Sequence, residues 1–226
     1  MSRPLIRDPE AVPIVGVDAH LPAVPAERLR PESLRERFLC PPVWEPETRG
    51  DGTVFTARTP ASAAVLMPLV LREEGVQVLL TRRTAHLRSH AGQISFPGGA
   101  TESTDGSPAA TALRETEEEI GLTRAKVEII GTLTEYVTVT AFHVTPVVAL
   151  VTPPFELQLD AFEVAQAFEV PLAFLMDPAH HRRHRFDFES EGAQHSRTFL
   201  SMPWDGHFIW GATAAMLRNL YRFLSA

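Results

Sequence analysis

Between Thr111 and Leu122 the chain reads TALRETEEEIGL, with Glu115, Glu117, Glu118 and Glu119 crowded together. Pro108 behind Ser107 starts a helix there and Gly121 stops it. Like charges three and four residues apart repel along a helix, and acids near its C-terminal end oppose the macrodipole. Local rule-breaking of this kind concentrates at functional sites. Wound at 3.6 residues per turn, Glu115, Glu118 and Glu119 gather on one side, while Glu117 points to solvent. Arg114 stands one turn before Glu118, within reach of an ion pair. A hard divalent cation, Mg²⁺ or Mn²⁺, would relieve the repulsion, because such ions take oxygen ligands and keep waters for a phosphate substrate. The PGG turn at 97–99 directly precedes the helix and can aim the backbone of Gly98 and Gly99 at the same spot. The competing reading is a solvated acidic face.

The elements that must position these groups follow from periodicity. Ala109, Ala112, Leu113, Thr116 and Ile120 make a small-residue helix face suited to lying close on a sheet. AAVLMPLVL and VQVLLTR are apolar, β-prone runs joined by REEG, which reads as a hairpin. VEIIGTLTEYV and FHVTPVVALV are further strands, and FEVPLAFLM reads as a short helix or turn. HRFDFE and TFLSMPW form another hairpin around Glu191-Gly192, and WDGHFIW is a last strand. A closing helix carries Ala214, Leu217, Leu220, Tyr221 and Leu224 on one stripe. Strands interleaved with a few helices make an α/β domain on a mixed sheet, over residues 61–226. Residues 1–60 are a proline-rich extension, with one short helix at 31–39 bearing Leu34, Phe38 and Leu39. It packs on the domain or on a second subunit, which would give a homodimer.

Composition bounds the function. The 226 residues, 44% of them hydrophobic, suit one sizeable core plus an extension. A net charge of −7 without a basic block disfavours nucleic-acid binding. The single cysteine, Cys40, allows no internal disulfide and reads as inert. Prolines interrupt the N-terminal stretch where a signal peptide needs an apolar run, and no run is long enough to span a membrane. These features predict a cytoplasmic protein without membrane partners. Ser95 and Ser201 lack the surroundings of a nucleophile elbow. HHRRHR at 180–185 has no carboxylate or cysteine framework beside it and reads as a solvated loop.

The stretch 97–122 resembles the Nudix box, GX5EX7REUXEEXGU with U aliphatic. Arg114, Glu115, Glu118, Glu119, Gly121 and Leu122 match its second half position by position. Thr116 holds an aliphatic position. The pair Gly98-Gly99 lies one residue upstream of the standard spacing, so Asp105 or Glu102 stands in for the early acid. LLTRRTAHLRSHAGQISFPGG, 79–99, is similar to LLTXR(S/A)X3RX3GX3FPGG of the coenzyme A pyrophosphatase branch. Leu79, Leu80, Thr81, Arg83, Arg88, Gly92 and Phe96 to Gly99 match, and Thr84 replaces serine or alanine. The resemblance covers residues 60–224.

It implies a Nudix α/β/α sandwich with a mixed central sheet, the box helix on one side and Ala212–Leu224 on another. It also implies metal-dependent hydrolysis of the pyrophosphate of coenzyme A or acyl-coenzyme A. Glu115, Glu118 and Glu119 would hold Mg²⁺ or Mn²⁺, and Arg114 would orient a glutamate. Glu118 or Glu163 would be the general base, Glu163 lying where Nudix domains carry a loop glutamate facing the box helix. Arg83, Arg88, Gly98 and Gly99 would meet the substrate. Hydrolysis of another nucleoside diphosphate derivative, and a non-catalytic nucleotide-binding module, are the alternative readings.

Overall fold

The computed structural model describes residues 6, 8–52, 59–87, 90–190 and 192–226. In chain order the elements are β1 (Ile14–Val17), α1 (Pro31–Leu39), β2 (Ala61–Arg72), β3 (Gly75–Arg83), β4 (Ile94–Ser95), β5 (Gly98–Ala100) and α2 (Pro108–Ile120). They continue with β6 (Val127–Thr132), β7 (Tyr136–Val137), β8 (Phe142–Val151), β9 (Val164–Pro171) and α3 (Leu172–Leu175). The chain closes with β10 (Arg182–Ser190), β11 (Ala193–Trp204), β12 (His207–Trp210) and α4 (Gly211–Ser225).

The central sheet runs β4-β3-β2-β8-β6, with β5 paired to β2, β7 to β8 and β9 to β3. It is mixed: β2 and β8 are parallel from Ala61↔Phe142 to Val70↔Val151, and the remaining pairs are antiparallel. Both central strands are near-continuous apolar runs because both faces of the sheet are covered. Alternate residues of β2 serve opposite layers. Met67 and Leu69 point with Val148 and Leu150 into the main core, which holds Leu217, Leu220 and Leu224 of α4. Ala64 and Leu66 meet Ala112 of α2 together with Val147 and Ala149. Burying one such leucine contributes about 2 kcal/mol. The small side chains of Ala109 and Ala112 bring α2 close to the strands beneath it. The result is the expected α/β/α sandwich.

A second, antiparallel sheet in the order β1-β10-β11-β12 stands beside the first. Two expectations change here. Phe168–Pro171 is the end of β9, paired with β3 from Leu80↔Phe168 to Gln77↔Pro171, and only Leu172–Leu175 is helical. HHRRHR is not a solvated loop: His181 is fully buried and His184 nearly so, at the start of β10. Their rings are held by Leu175 O and Arg218, and by Val12 O and Ser201 Oγ, respectively.

The segment before Ala61 is tied to both layers. In α1, Leu34 is buried and the Phe38 ring lies 4.6 Å from that of Phe223, whereas Leu39 is exposed, contrary to its place in the apolar set. Asp18 and Glu47 pair with Arg183 and Arg218, the latter 1% exposed. Among the described residues no helix is long and apolar enough to cross a membrane.

Candidate active site

Helix α2 begins where Ser107 Oγ accepts the Ala110 N–H at 3.1 Å, with Pro108 in its first turn, and it ends at Gly121. Its inner side buries Thr111, Ala112, Thr116, Glu119 and Ile120. The acidic groups therefore divide by exposure. Glu117 faces solvent, Glu118 is 60% exposed, Glu115 is 19% exposed and Glu119 only 6%.

Arg114 organises the exposed end of the cluster. Its Nη1 lies 2.9 Å from both Glu115 Oε1 and Glu118 Oε2. Nε and Nη2 fork onto Asp105 at 3.1 and 2.9 Å, and Nη2 also donates to Ala100 O. Asp105 further accepts from the Glu102 N–H and the Thr111 hydroxyl. These donors, Arg114 foremost, hold its carboxyl well below the usual carboxylate range. Glu102, the other candidate loop acid, is 3.9 Å from Arg114 and mostly exposed. The acid that fixes Arg114 is Asp105.

The buried end is built differently. Gly98, at φ +149, lies so close to β2 that a Cβ would run into Ala64 O and Val65. This approach lets its N–H donate to Glu119 Oε2 at 3.1 Å. A Cβ on Gly99 would fall on the Glu115 carboxylate. The two glycines thus make room for the carboxylates and orient one of them. Arg83 bridges the cluster to its far wall, 3.4 Å from Glu119 Oε1 and 3.4 Å from Glu163 Oε2. Glu163 sits on a turn closed by the Asp160 carbonyl, and the Asp160 N–H bonds Glu119 O at the end of α2. The Thr84 N–H holds the Glu163 carbonyl at 2.9 Å.

Burial pushes Glu119 up to about 7; the charges of Glu163 and Glu115 add to the rise, against the Gly98 N–H and Arg83. Burial also raises Glu115, Arg114 opposing and Glu118 and Glu163 reinforcing. Two arginines thus leave the negative charge of the cluster only partly compensated. An all-oxygen donor set with residual repulsion fits a hard divalent cation. Among the described residues no three Asp, Glu, His or Cys side chains stand close enough together to hold a metal ion by themselves. A cation here would therefore need water and phosphate oxygens to complete its shell.

The structure therefore brings together Arg114, Glu115, Glu118, Glu119, Gly98, Gly99, Arg83 and Glu163, while Arg88 lies outside the described residues. Arg83 is paired with two carboxylates of the cluster. Of the remaining sequence candidates, Ser201 is buried against His184, and Cys40 is exposed.

Residues 60–190 match the NUDIX domain family. A protein of Enterobacter sp. (strain 638), named "Uncharacterized Nudix hydrolase NudL", is 46% identical over 159 residues, 70% of this chain and 80% of that one. A protein of the same name from Escherichia coli (strain K12) is 44% identical over 158 residues, with the same shares covered. Among solved structures, the Nudix hydrolase RenU from M. smegmatis superposes with a TM-score of 0.43 at 22% identity, over 50% of this chain and 71% of that one.

Proposed function

This chain belongs to the Nudix hydrolase family, and on that premise we propose that it hydrolyses the pyrophosphate bond of coenzyme A or acyl-coenzyme A. The products are 4′-phosphopantetheine, or its acyl form, and adenosine 3′,5′-bisphosphate. As a Nudix hydrolase it acts on nucleoside diphosphate derivatives, and such enzymes use divalent cations. The observation that carries the finer reading is the stretch 79–99. Its Arg83, Arg88 and Gly92 match the coenzyme A signature, which runs without a gap into the PGG turn. The strand end bearing Arg83 abuts the carboxylate cluster.

In the proposed mechanism Glu115, Glu118 and Glu119 would hold Mg²⁺ or Mn²⁺. Such an ion would supply charge neutralisation at the phosphate oxygens and lower the pKa of a water. Arg114, anchored by Asp105, fixes the spacing of Glu115 and Glu118. The Gly98 N–H fixes Glu119. Glu163 accepts the proton of the attacking water: among the described residues its one ion pair, with Arg83, is long, at 3.4 Å, whereas Glu118 is engaged by Arg114 at 2.9 Å. Little covalent chemistry is asked of the protein, and positioning and electrostatics carry the rate. Incubation with coenzyme A and Mg²⁺, followed by mass spectrometry, should yield the two named products. Intact coenzyme A beside turnover of a different nucleoside diphosphate would refute the substrate and leave the reaction class standing.

A further inference from the structure

Phe162 is the one aromatic side chain among the described residues that stands mostly in solvent, at 65% exposure. Isolated exposed apolar residues are ordinary and need no purpose. This one is held in place. Its N–H bonds Asp160 Oδ1 at 2.9 Å, and its carbonyl accepts the Thr84 hydroxyl at 2.7 Å. The next two residues, Glu163 and Val164, are pinned to the Asp160 carbonyl. Its ring lies 4.9 Å from that of His86, which is also exposed. Thr84, which departs from the serine or alanine of the signature, is nearly buried and provides the hydroxyl that grips the turn.

The location gives the pair its meaning. Arg83 and Glu163 meet inside the carboxylate cluster, and their chain neighbours on the same two loops bring His86 and Phe162 together at its rim. A nucleotide lodged by its diphosphate in the cluster must put its base somewhere beside it. A fixed, solvent-facing ring offers a π-face that suits a planar base. We propose that Phe162, braced by His86, is the surface on which the nucleobase of the substrate stacks, so that it helps determine specificity without touching the reacting atoms. This rests on the nucleoside-diphosphate reading above and assigns the base-recognition part of that site.

The test uses the full chain with Mg²⁺ and compares two inhibitors, adenosine 3′,5′-bisphosphate and inorganic pyrophosphate. Phe162→Ala should raise the inhibition constant of the bisphosphate about ten- to a hundredfold, the span that loss of one base–aromatic stack gives. The constant for pyrophosphate should stay within about twofold. KM for the nucleotide substrate should rise with the first constant while kcat holds, since stacking is made equally in ground and transition states. Phe162→Trp should restore the parental pattern. Equal weakening of both inhibitors would reduce Phe162 to a loop support and overturn the proposal, as would an unchanged bisphosphate constant or a parent that the bisphosphate does not inhibit. Failure to cleave coenzyme A would instead strike the substrate reading alone, and the same inhibitor comparison would then be read on whichever nucleoside diphosphate derivative is turned over.

Discussion

Glu118 and Glu119 are adjacent in sequence yet occupy opposite environments, one mostly in water beside Arg114 and the other enclosed against Gly98 and Arg83. Glutamine at either position should lower kcat by about 10²–10³, the scale lost with one preorganised electrostatic group. The stability effects should differ. Glu119→Gln removes a carboxylate that burial disfavours, so the metal-free variant should melt higher than the parent above pH 7. Glu118→Gln removes the Arg114 pair and should show no such gain. Near-parental kcat in both variants would reduce the helix to a solvated face. At the proposed metal site, proton and metal would also compete for Glu119. In the metal-free protein its carboxyl keeps a proton up to about 7, where an unfolded chain ionises near 4.5. The contribution of Glu119 to stability of the metal-free state therefore falls as pH rises between those values, and a cation binding there must displace a proton. Calorimetry with Mn²⁺ should show affinity rising with pH and levelling above about 7; a flat profile from pH 5.5 to 7.5 would sink this account. The clustering of these acids was legible because it broke helix rules. The choice between Asp105 and Glu102 was not. The Glu102 N–H closes a turn onto Asp105 Oδ2, swinging Asp105 inward and leaving the Glu102 side chain out. Sequence spacing does not encode that bend.

At the scale of elements, the β5 turn and α2 form one device. Gly99 is not at positive φ, so alanine suits its backbone, but the new methyl must displace the Glu115 carboxylate. Gly99→Ala should keep the parental melting temperature within a few degrees and weaken Mn²⁺ binding about 10–100-fold. Gly98→Ala should do the reverse in emphasis, destabilising the fold, because its Cβ meets β2 backbone at a positive φ. Thermal melts paired with Mn²⁺ titration separate the two, and unchanged Mn²⁺ affinity in Gly99→Ala would contradict the geometry. The bounds of α2 were readable because Ser107, Pro108 and Gly121 are strong punctuation. Strand β9 was not. AFEVAQAFEV mixes alanine and glutamate with β-branched residues, and only pairing with β3 settles it as extended.

For the molecule as a whole, the stabilising polar network lies away from the site and joins the segment before Ala61 to β10 and α4. Arg218 donates to Glu47 Oε2 at 2.6 Å and to His181 Nδ1 at 3.0 Å, so the His181 ring must be neutral and donate from Nε2 to Leu175 O. Burial depresses His181 to about 4. An unfolded chain takes up this proton near 6.5, so the contribution of His181 to stability should be complete above pH 6.5 and be lost progressively toward pH 4, opposite in sign to that of Glu119. Melting temperatures across that range, with the His181 ring resonance followed by NMR, test this. A ring titrating near 6.5 in the folded protein would refute it. None of this was visible in HHRRHR, where charge suggests solvent, because the groups that bury it come from distant positions such as Val12 and Ser201. The β10-β11 hairpin was legible in HRFDFE and TFLSMPW, but β1 was not, for a similar reason: it is four residues long, and its partner lies far along the chain.

The parallel pairing of β2 with β8 carries a kinetic consequence. Partners such as Ala61 and Phe142 are distant in sequence, and the whole of α2 lies in the loop between them. Closing that loop costs chain entropy before the pairing returns any stability, which makes such topologies slow to form. Helix α2 can begin to wind early from local signals alone, but Ala112 finds its seat only when Leu66 and Val147 stand side by side. During refolding, helical signal should therefore precede metal binding, and cation affinity should emerge with the final, slowest assembly phase.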